Sequence, residues 1–400
     1  MNTFPNFSDA GLSNTQESVE GLSYLDGSPV SIEMENGKIT RIERLKELPQ
    51  GTERVYIAPG LIDNQVNGYD GVTFALGGGE LSAEGVKKAT MAQWKAGVTT
   101  YLPTLTTNSR ELFLKNLAIL AEAKEDKDLL GSIAGFHLEG PYISPEDGYR
   151  GAHPREYVRK PDWEEFLDFY RASGENILQV TIAPEVEGGA EFIQQCTGLG
   201  VKVALGHHNG SKDQIDQAVS NGAVICTHLG NGCANMISRF FNPLWPQLAN
   251  DRLMASIIGD GFHLLPEQIL VFYKIKGTEK TILTSDATSY AGLPVGKYTS
   301  GEGDPIEITP EGKLWNIAQN GLYGSASPLA RGVVHVMNVT GCGLKDAIQM
   351  AGANPAKLYG LNDRGVLKPG RRADLILFTV GDKVLDIRKT YVAGKLVYQA

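Results

Sequence analysis

Cysteine is sparse in this sequence: four residues in 400, none in a C-x-x-C pair. That argues against a disulfide framework or a thiolate metal centre and leaves reduced, mostly buried thiols as the expectation. Histidine is scarce as well, with seven copies, so their placement carries more weight than their number. Long apolar runs are missing. No stretch approaches the ~18 residues of a membrane helix, and the opening MNTFPNFSDAGLSNTQ has neither a basic head nor an apolar core. Neither a membrane nor a secretion signal is therefore expected, and a cytoplasmic location is. Runs of lysine and arginine are absent too, and with a formal net charge of −9 nucleic acid is not an expected partner. No G-x-G-x-x-G follows the first candidate strand, which removes the dinucleotide-binding fingerprint.

What the chain does have is 42% hydrophobic residues, enough for one large domain or a large one with a small companion. Residues 17–57 show no helical period, and SIEMENGKITRIERL reads as a hairpin turned by Asn36-Gly37, which tolerate positive φ. The far end, ADLILFTVGDKVLDIRKTYVAGKLVYQA, reads as two or three short strands with turns at Gly381-Asp382 and Ala393-Gly394. Both ends, residues 1–57 and 366–400, are expected to build one small β domain. Between them, residues 58–365 alternate strand and helix. Candidate strands cover 55–65, 99–104, 133–139, 177–184, 202–207, 223–228, 254–259 and 281–286, most of them short, apolar and β-branched. Helical stretches at 81–96, at 109–123 behind an Asn108-x-x-Glu111 cap, and at 211–219 behind a Ser211-x-x-Gln214 box are the clearest. Shorter ones fall at 166–172, 191–197 and 268–274, and 289–322 reads as a β-like excursion. Eight alternating units predict an α/β fold, a (β/α)8 TIM-like barrel.

The chemistry lies in what terminates each strand. Strand one ends in Asp63, Gln65 and Asn67; strand three in His137 and Glu139; strand four in Glu185. Strand five ends in His207-His208, strand six in His228 with Asn231 beyond, strand seven in Asp260 and His263, strand eight in Asp286. Five of the seven histidines fall at or just after such ends, His153 and His335 being the exceptions. Singly, such a residue is more often a hydrogen-bonding or capping group. Converging on one barrel face, so many buried ionisable groups are costly unless a shared metal relieves them. Glu139, His207 and His228 give an N2O donor set suited to Zn2+, with other first-row divalent ions compatible. One such ion would lower the pKa of a bound water to roughly 7. Asp286 would then take the water proton and return it to a leaving amine. Hydrolysis of an amide or ester carbonyl is the indicated chemistry.

The ordered set PGLID, HLEGPYIS, GAH, TIAPE, LGHHNGS, THLGNG, DGFHL and LTSDA, closed by NPAKLYGLNDRGVLKPGRRADLILF, resembles the N-acetylglucosamine-6-phosphate deacetylases of the amidohydrolase superfamily. The resemblance covers roughly residues 25–398. It implies a barrel with a small discontinuous β-sandwich domain, a homodimer, and a small-molecule N-acetyl amino sugar phosphate as substrate. It implies Glu139, His207 and His228 as metal ligands, Asp286 as the acid/base carboxylate, and His153 as the group that polarises the acetyl carbonyl. Asn231 and Gly232 would face the sugar, while Arg239 and His263 would reach its phosphate.

The sequence departs from that pattern in three places. Asn231-Gly232-Cys233 replaces an Asn-Ala-Met run, SRFFNPLW brings Phe240, Phe241 and Trp245 where Arg-x-Pro-Gly is usual, and His208 replaces a serine. An aromatic loop there would also suit a different sugar, or one without phosphate. Other amidohydrolase reactions, such as cyclic-amide opening, would use the same site, and a catalytically silent sugar-binding protein would use the same barrel. In two-metal relatives strand one ends His-x-His. Gln65-Val66-Asn67 stands there instead, and neutral amides are poor transition-metal ligands, so a single-metal site with two hydrogen-bonding amides is expected.

Overall fold

The computed structural model describes residues 17–75, 80–301, 303–318 and 320–400. The opening sixteen residues of the expected 1–57 segment lie outside the described residues. Eight parallel strands form one sheet in sequence order: β1 Leu61–Val66, β2 Val98–Thr106, β3 Phe136–Glu139, β4 Ile177–Ile182, β5 Lys202–Leu205, β6 Ala223–Cys226, β7 Met254–Ile258 and β8 Thr281–Thr284. A bridge between Val66 and Ala287 joins the end of β1 to the chain just past β8 and closes the barrel. Each strand is followed by a helix on the chain's way to the next, from Ala83–Lys95 after β1 to Leu329–Thr340 after β8. The fully buried patterns of β1, β2, β3 and β8 follow from their position between helices and barrel interior.

Helix starts follow the polar caps. Ser82 accepts from the Gly85 amide, and Ser211 and Gln214 form the reciprocal capping box. Before Arg110–Lys124 the capping side chain is Ser109, which accepts from the Leu112 amide; Asn108, the expected cap, instead donates from its amide to the Ala75 carbonyl. The helix expected at 268–274 extends over Pro266–Lys280, with Gly277 breaking its φ/ψ near the end.

The expected strand 55–65 is two strands. Tyr56–Pro59 pairs with Leu375–Val380 and Glu17–Ser23 in a seven-stranded sheet of the chain ends, whereas Leu61–Val66 opens the barrel. The switch falls on Gly60, where a Cβ would lie 2.1 Å from Thr99 Oγ1, so only glycine lets the chain pass between the two sheets. The chain-end sheet runs Lys395–Gln399, Leu385–Val392, Leu375–Val380, Tyr56–Pro59, Glu17–Ser23, Pro29–Glu35, Lys38–Arg44. It curls until Lys38, on its last strand, bridges Arg372. The two halves enclose Val19, Ile32, Met34, Ile57, Leu375 and Tyr391 as one apolar core. Its hairpins turn at Asn36-Gly37 and Ala393-Gly394, both pairs at positive φ. The excursion after β8 holds four short antiparallel strands between Gly296 and Leu322. Among the described residues no helix is long and apolar enough to cross a membrane, and the four cysteines are free thiols.

Candidate active site

The central side chains leave the carboxyl ends of the barrel strands. Glu139 is the last residue of β3, His207 and His228 follow β5 and β6, and Asp286 follows β8. His207, His228 and Asp286 have φ of 51°, 28° and 51°, a region that side-chain-bearing residues rarely enter. Such backbone costs on the order of 1–3 kcal/mol per residue, and here it coincides with the three exits that feed one cluster.

Glu139 Oε1 lies 2.8 Å from His228 Nε2 and 3.3 Å from His207 Nε2, and the two imidazole nitrogens are 3.1 Å apart. All three residues are buried, with their ligand atoms within 4.8 Å of one another. His207 Nδ1 donates to the Tyr149 carbonyl at 3.0 Å, which leaves Nε2 as a lone pair facing the cluster. Two imidazoles and a carboxylate, one ring already held in the metal-binding tautomer, fit a divalent first-row ion. Burial by itself would raise the Glu139 carboxyl, but His207 and His228 beside it hold it well below the usual range. Burial also opposes a charge on His228, and Glu139 outweighs it, so that ring is shifted upward.

Gln65 and Asn67 are the amides of this centre. Gln65 Nε2 donates to Glu139 Oε1 and to Asp286 Oδ1, each at 2.9 Å, and Asn67 Nδ2 donates to Asp286 Oδ1 at 2.7 Å. No protein donor occupies Asp286 Oδ2 among the described residues. Burial, reinforced by the Glu139 charge, raises the Asp286 carboxyl to about 7. A carboxyl near neutrality with one oxygen fixed and the other open is built for proton transfer.

His153 Nε2 sits 3.2 Å from His207 Nε2, while its Nδ1 meets Thr107 Oγ1 at 2.8 Å. Burial, then the adjacent His207, push its pKa down to about 3, so the ring is neutral. The His207 ring itself lies between two glycines: a Cβ on Gly151 would come within 3.0 Å of it, and one on Gly232 within 2.9 Å. Thr107 and the Tyr149 carbonyl carry no sequence signal, because one acts through a hydroxyl remote in sequence and the other through backbone. Gly151 could have been found, since it opens GAH.

Other strand-end residues point elsewhere. His137 bonds Thr181 and Gln179 inside the barrel, and burial pushes it down to about 4. Glu185 accepts from the Asn209 amide instead of joining the cluster. His263 Nδ1 donates to Asp260 Oδ2 at 2.9 Å. The Asn231 backbone N–H donates to the His228 carbonyl. The Arg239 guanidinium stacks on the Phe240 ring at 4.6 Å and makes no hydrogen bond or ion pair within the cluster.

The sequence profile of the amidohydrolase family matches residues 56–242 and 310–397. The N-acetylglucosamine-6-phosphate deacetylase of Bos taurus is 34% identical over 354 residues, covering 86% of this chain and 83% of the bovine one. This chain belongs to the N-acetylglucosamine-6-phosphate deacetylase family of amidohydrolases. Among solved structures, the deacetylase of Thermotoga maritima superimposes with a TM-score of 0.82 at 26% identity, over 96% of this chain and 100% of that one. A mutant of the Mycobacterium smegmatis deacetylase in complex with N-acetyl-D-glucosamine-6-phosphate gives 0.83 at 25% identity, over 96% and 99%. Of the departures from the deacetylase pattern, His208, Gly232 and Cys233 lie together beside His207, while Phe240, Phe241 and Trp245 lie outside that group.

Proposed function

We propose that this chain is a metal-dependent deacetylase that hydrolyses the acetamide of N-acetylglucosamine 6-phosphate to glucosamine 6-phosphate and acetate. The observation that carries this reading is the tie, through the single Gln65 amide, between the clustered Glu139 and a half-open Asp286. Glu139, His207 and His228 would hold one divalent ion, with Zn2+ the best match to the donor set, and supply Lewis acidity toward water and carbonyl.

Asp286 Oδ2 takes a proton from the attacking water as its oxygen bonds to the acetyl carbon, while Gln65 and Asn67 keep Oδ1 in place. His153, held at Nδ1 by the Thr107 hydroxyl, would in its Nε2–H tautomer donate to the carbonyl oxygen as negative charge develops there. Asp286 then delivers its proton to the amine nitrogen, the C–N bond breaks, and acetate leaves. Asn231 and Gly232 would border the sugar, with Arg239 and His263 left to meet its phosphate. The same reading makes the protein a cytoplasmic homodimer acting on a small-molecule substrate.

Acetate release from N-acetylglucosamine with and without the 6-phosphate, on protein of known metal content, tests the reading. Turnover of the phosphorylated sugar that is lost with a chelator and restored by Zn2+ is expected. Metal-loaded protein inert toward both sugars would refute it.

A further inference from the structure

The strand β2 ends without an ionisable side chain, in Thr106-Thr107-Asn108. Its exit nevertheless reaches the centre, through one buried hydroxyl. Thr107 Oγ1 lies 2.8 Å from His153 Nδ1 and 3.4 Å from the Glu139 carbonyl oxygen. The β3 exit presses on the same atom: a Cβ on Gly140 would fall 2.2 Å from it, at a φ of 82°. One hydroxyl proton cannot serve both neighbours. Given to the Glu139 carbonyl, it requires His153 to donate from Nδ1, which leaves Nε2 a lone pair. Given to His153 Nδ1, it requires the imidazole proton to sit on Nε2.

The His207 ring decides between the two. Its Nδ1 donates to the Tyr149 carbonyl, so its Nε2 is a lone pair, and His153 Nε2 stands 3.2 Å from that atom. Two lone pairs facing each other at this separation repel, whereas an N–H on His153 Nε2 finds an acceptor. The shorter of the two Thr107 contacts is also the one this tautomer needs. A ring with Nε2 bare would be a further nitrogen ligand for a cation; with Nε2 protonated it can only donate. We propose that Thr107 is a positioning residue of the reaction, its hydroxyl donating to His153 Nδ1 and holding that ring in the Nε2–H tautomer as a donor to the carbonyl oxygen, not a fourth metal ligand. The effect on turnover rests on the proposed deacetylation; the tautomer itself does not.

The test reads tautomer and turnover separately in Zn2+-loaded protein. Long-range 1H–15N correlation on 15N-histidine-labelled wild type, with His153 assigned by the loss of its signals in His153→Gln, should show Nε2 protonated and Nδ1 unprotonated. Thr107→Val keeps the shape and removes the hydroxyl. It should lose that single tautomer and lower kcat about tenfold to a hundredfold, no more than an oxyanion donor itself contributes, with KM and metal content within about twofold of wild type. Thr107→Ser should restore both the tautomer and kcat. Added to His153→Gln, Thr107→Val should cost no more than about twofold further, whereas a packing role would multiply the two losses. Wild-type His153 protonated at Nδ1, or a Thr107→Val loss that persists undiminished without His153, would overturn the assignment. If Thr107→Val does not fold, the wild-type spectrum decides. A wild type with the expected tautomer that is inert toward N-acetylglucosamine 6-phosphate would instead overturn the deacetylase reading and leave the tautomer standing.

Discussion

Gln65 Nε2 donates to Asp286 Oδ1 at 2.9 Å while also donating to Glu139 Oε1 at the same distance. One neutral amide thus links the carboxylate of the proposed metal set to the carboxylate proposed to move the proton. Gln65→Leu removes one donor from each oxygen, leaving Asn67 alone on Asp286 Oδ1, and should lower kcat by on the order of 10²-fold. Metal analysis should still return one ion per chain. Two ions in the wild type would mean that Gln65 and Asn67 serve as ligands after all.

Asp286→Asn keeps the hydrogen bonds at Oδ1 and removes the proton acceptor. Turnover should fall by about 10³-fold or more with metal content unchanged. In metal-free protein Asp286 should titrate near 7, and a bound cation, favouring the carboxylate, should move it lower. The acid limb of kcat/KM should therefore fall below neutrality, with activity lost as pH drops and the base is protonated. An acid limb that survives in Asp286→Asn would assign it to another group.

Gly232→Ala puts a methyl within 2.9 Å of the His207 ring, at a φ of 61° that alanine resists. The ring must shift or the loop must move. Displacing a ligand this way should weaken metal affinity about tenfold to a hundredfold, a range seen when the groups supporting ligands are lost. Titration against a competing chelator measures it. Unchanged affinity in a folded variant would mean that the loop gives way more easily than the ligand.

Asp63 bears on stability. It is buried, with Oδ1 accepting from Thr284 Oγ1 at 2.9 Å and from the Ser285 amide at 3.1 Å, while Oδ2 has no partner. Burial outweighs these donors and raises its carboxyl from 3.8 to about 6. A carboxyl that holds its proton more tightly when folded costs stability as pH rises from about 4 to 6, and the full cost persists above. At ~1.4 kcal/mol per pKa unit it is at most about 3 kcal/mol. Asp63→Asn should therefore melt higher than wild type near pH 8 and draw level with it toward about pH 4. A pH-independent difference in melting temperature would show that Asp63 does not titrate in this range.

The barrel was legible because its strands are short and apolar, as strands covered on both faces must be, and because capped helices separate them. The break at Gly60 was not, since Tyr56–Pro59 and Leu61–Val66 share one apolar composition and differ only in the sheet each joins. The cap before Arg110–Lys124 was misread by one residue because Asn108 and Ser109 are both good caps and a tertiary bond to Ala75 claimed the first. His137 and Glu185 show the limit at the site itself. A strand end places a residue at the right height, but alternation and packing decide whether its side chain faces the cluster.

By itself the sequence determined the repeated strand–helix alternation, the hairpin turns, and the order in which carboxylates, imidazoles and amides occur at strand ends. Those follow from local rules: turn and cap chemistry, strand period, and the cost of burying charge. Only the tertiary structure decided that Gln65 spans two carboxylates, that the Tyr149 carbonyl sets the His207 tautomer, and that His153 meets the His207 ring. Each of these is a contact between strand exits far apart in the chain, and distance in space is fixed by closure of the barrel, which no local pattern encodes.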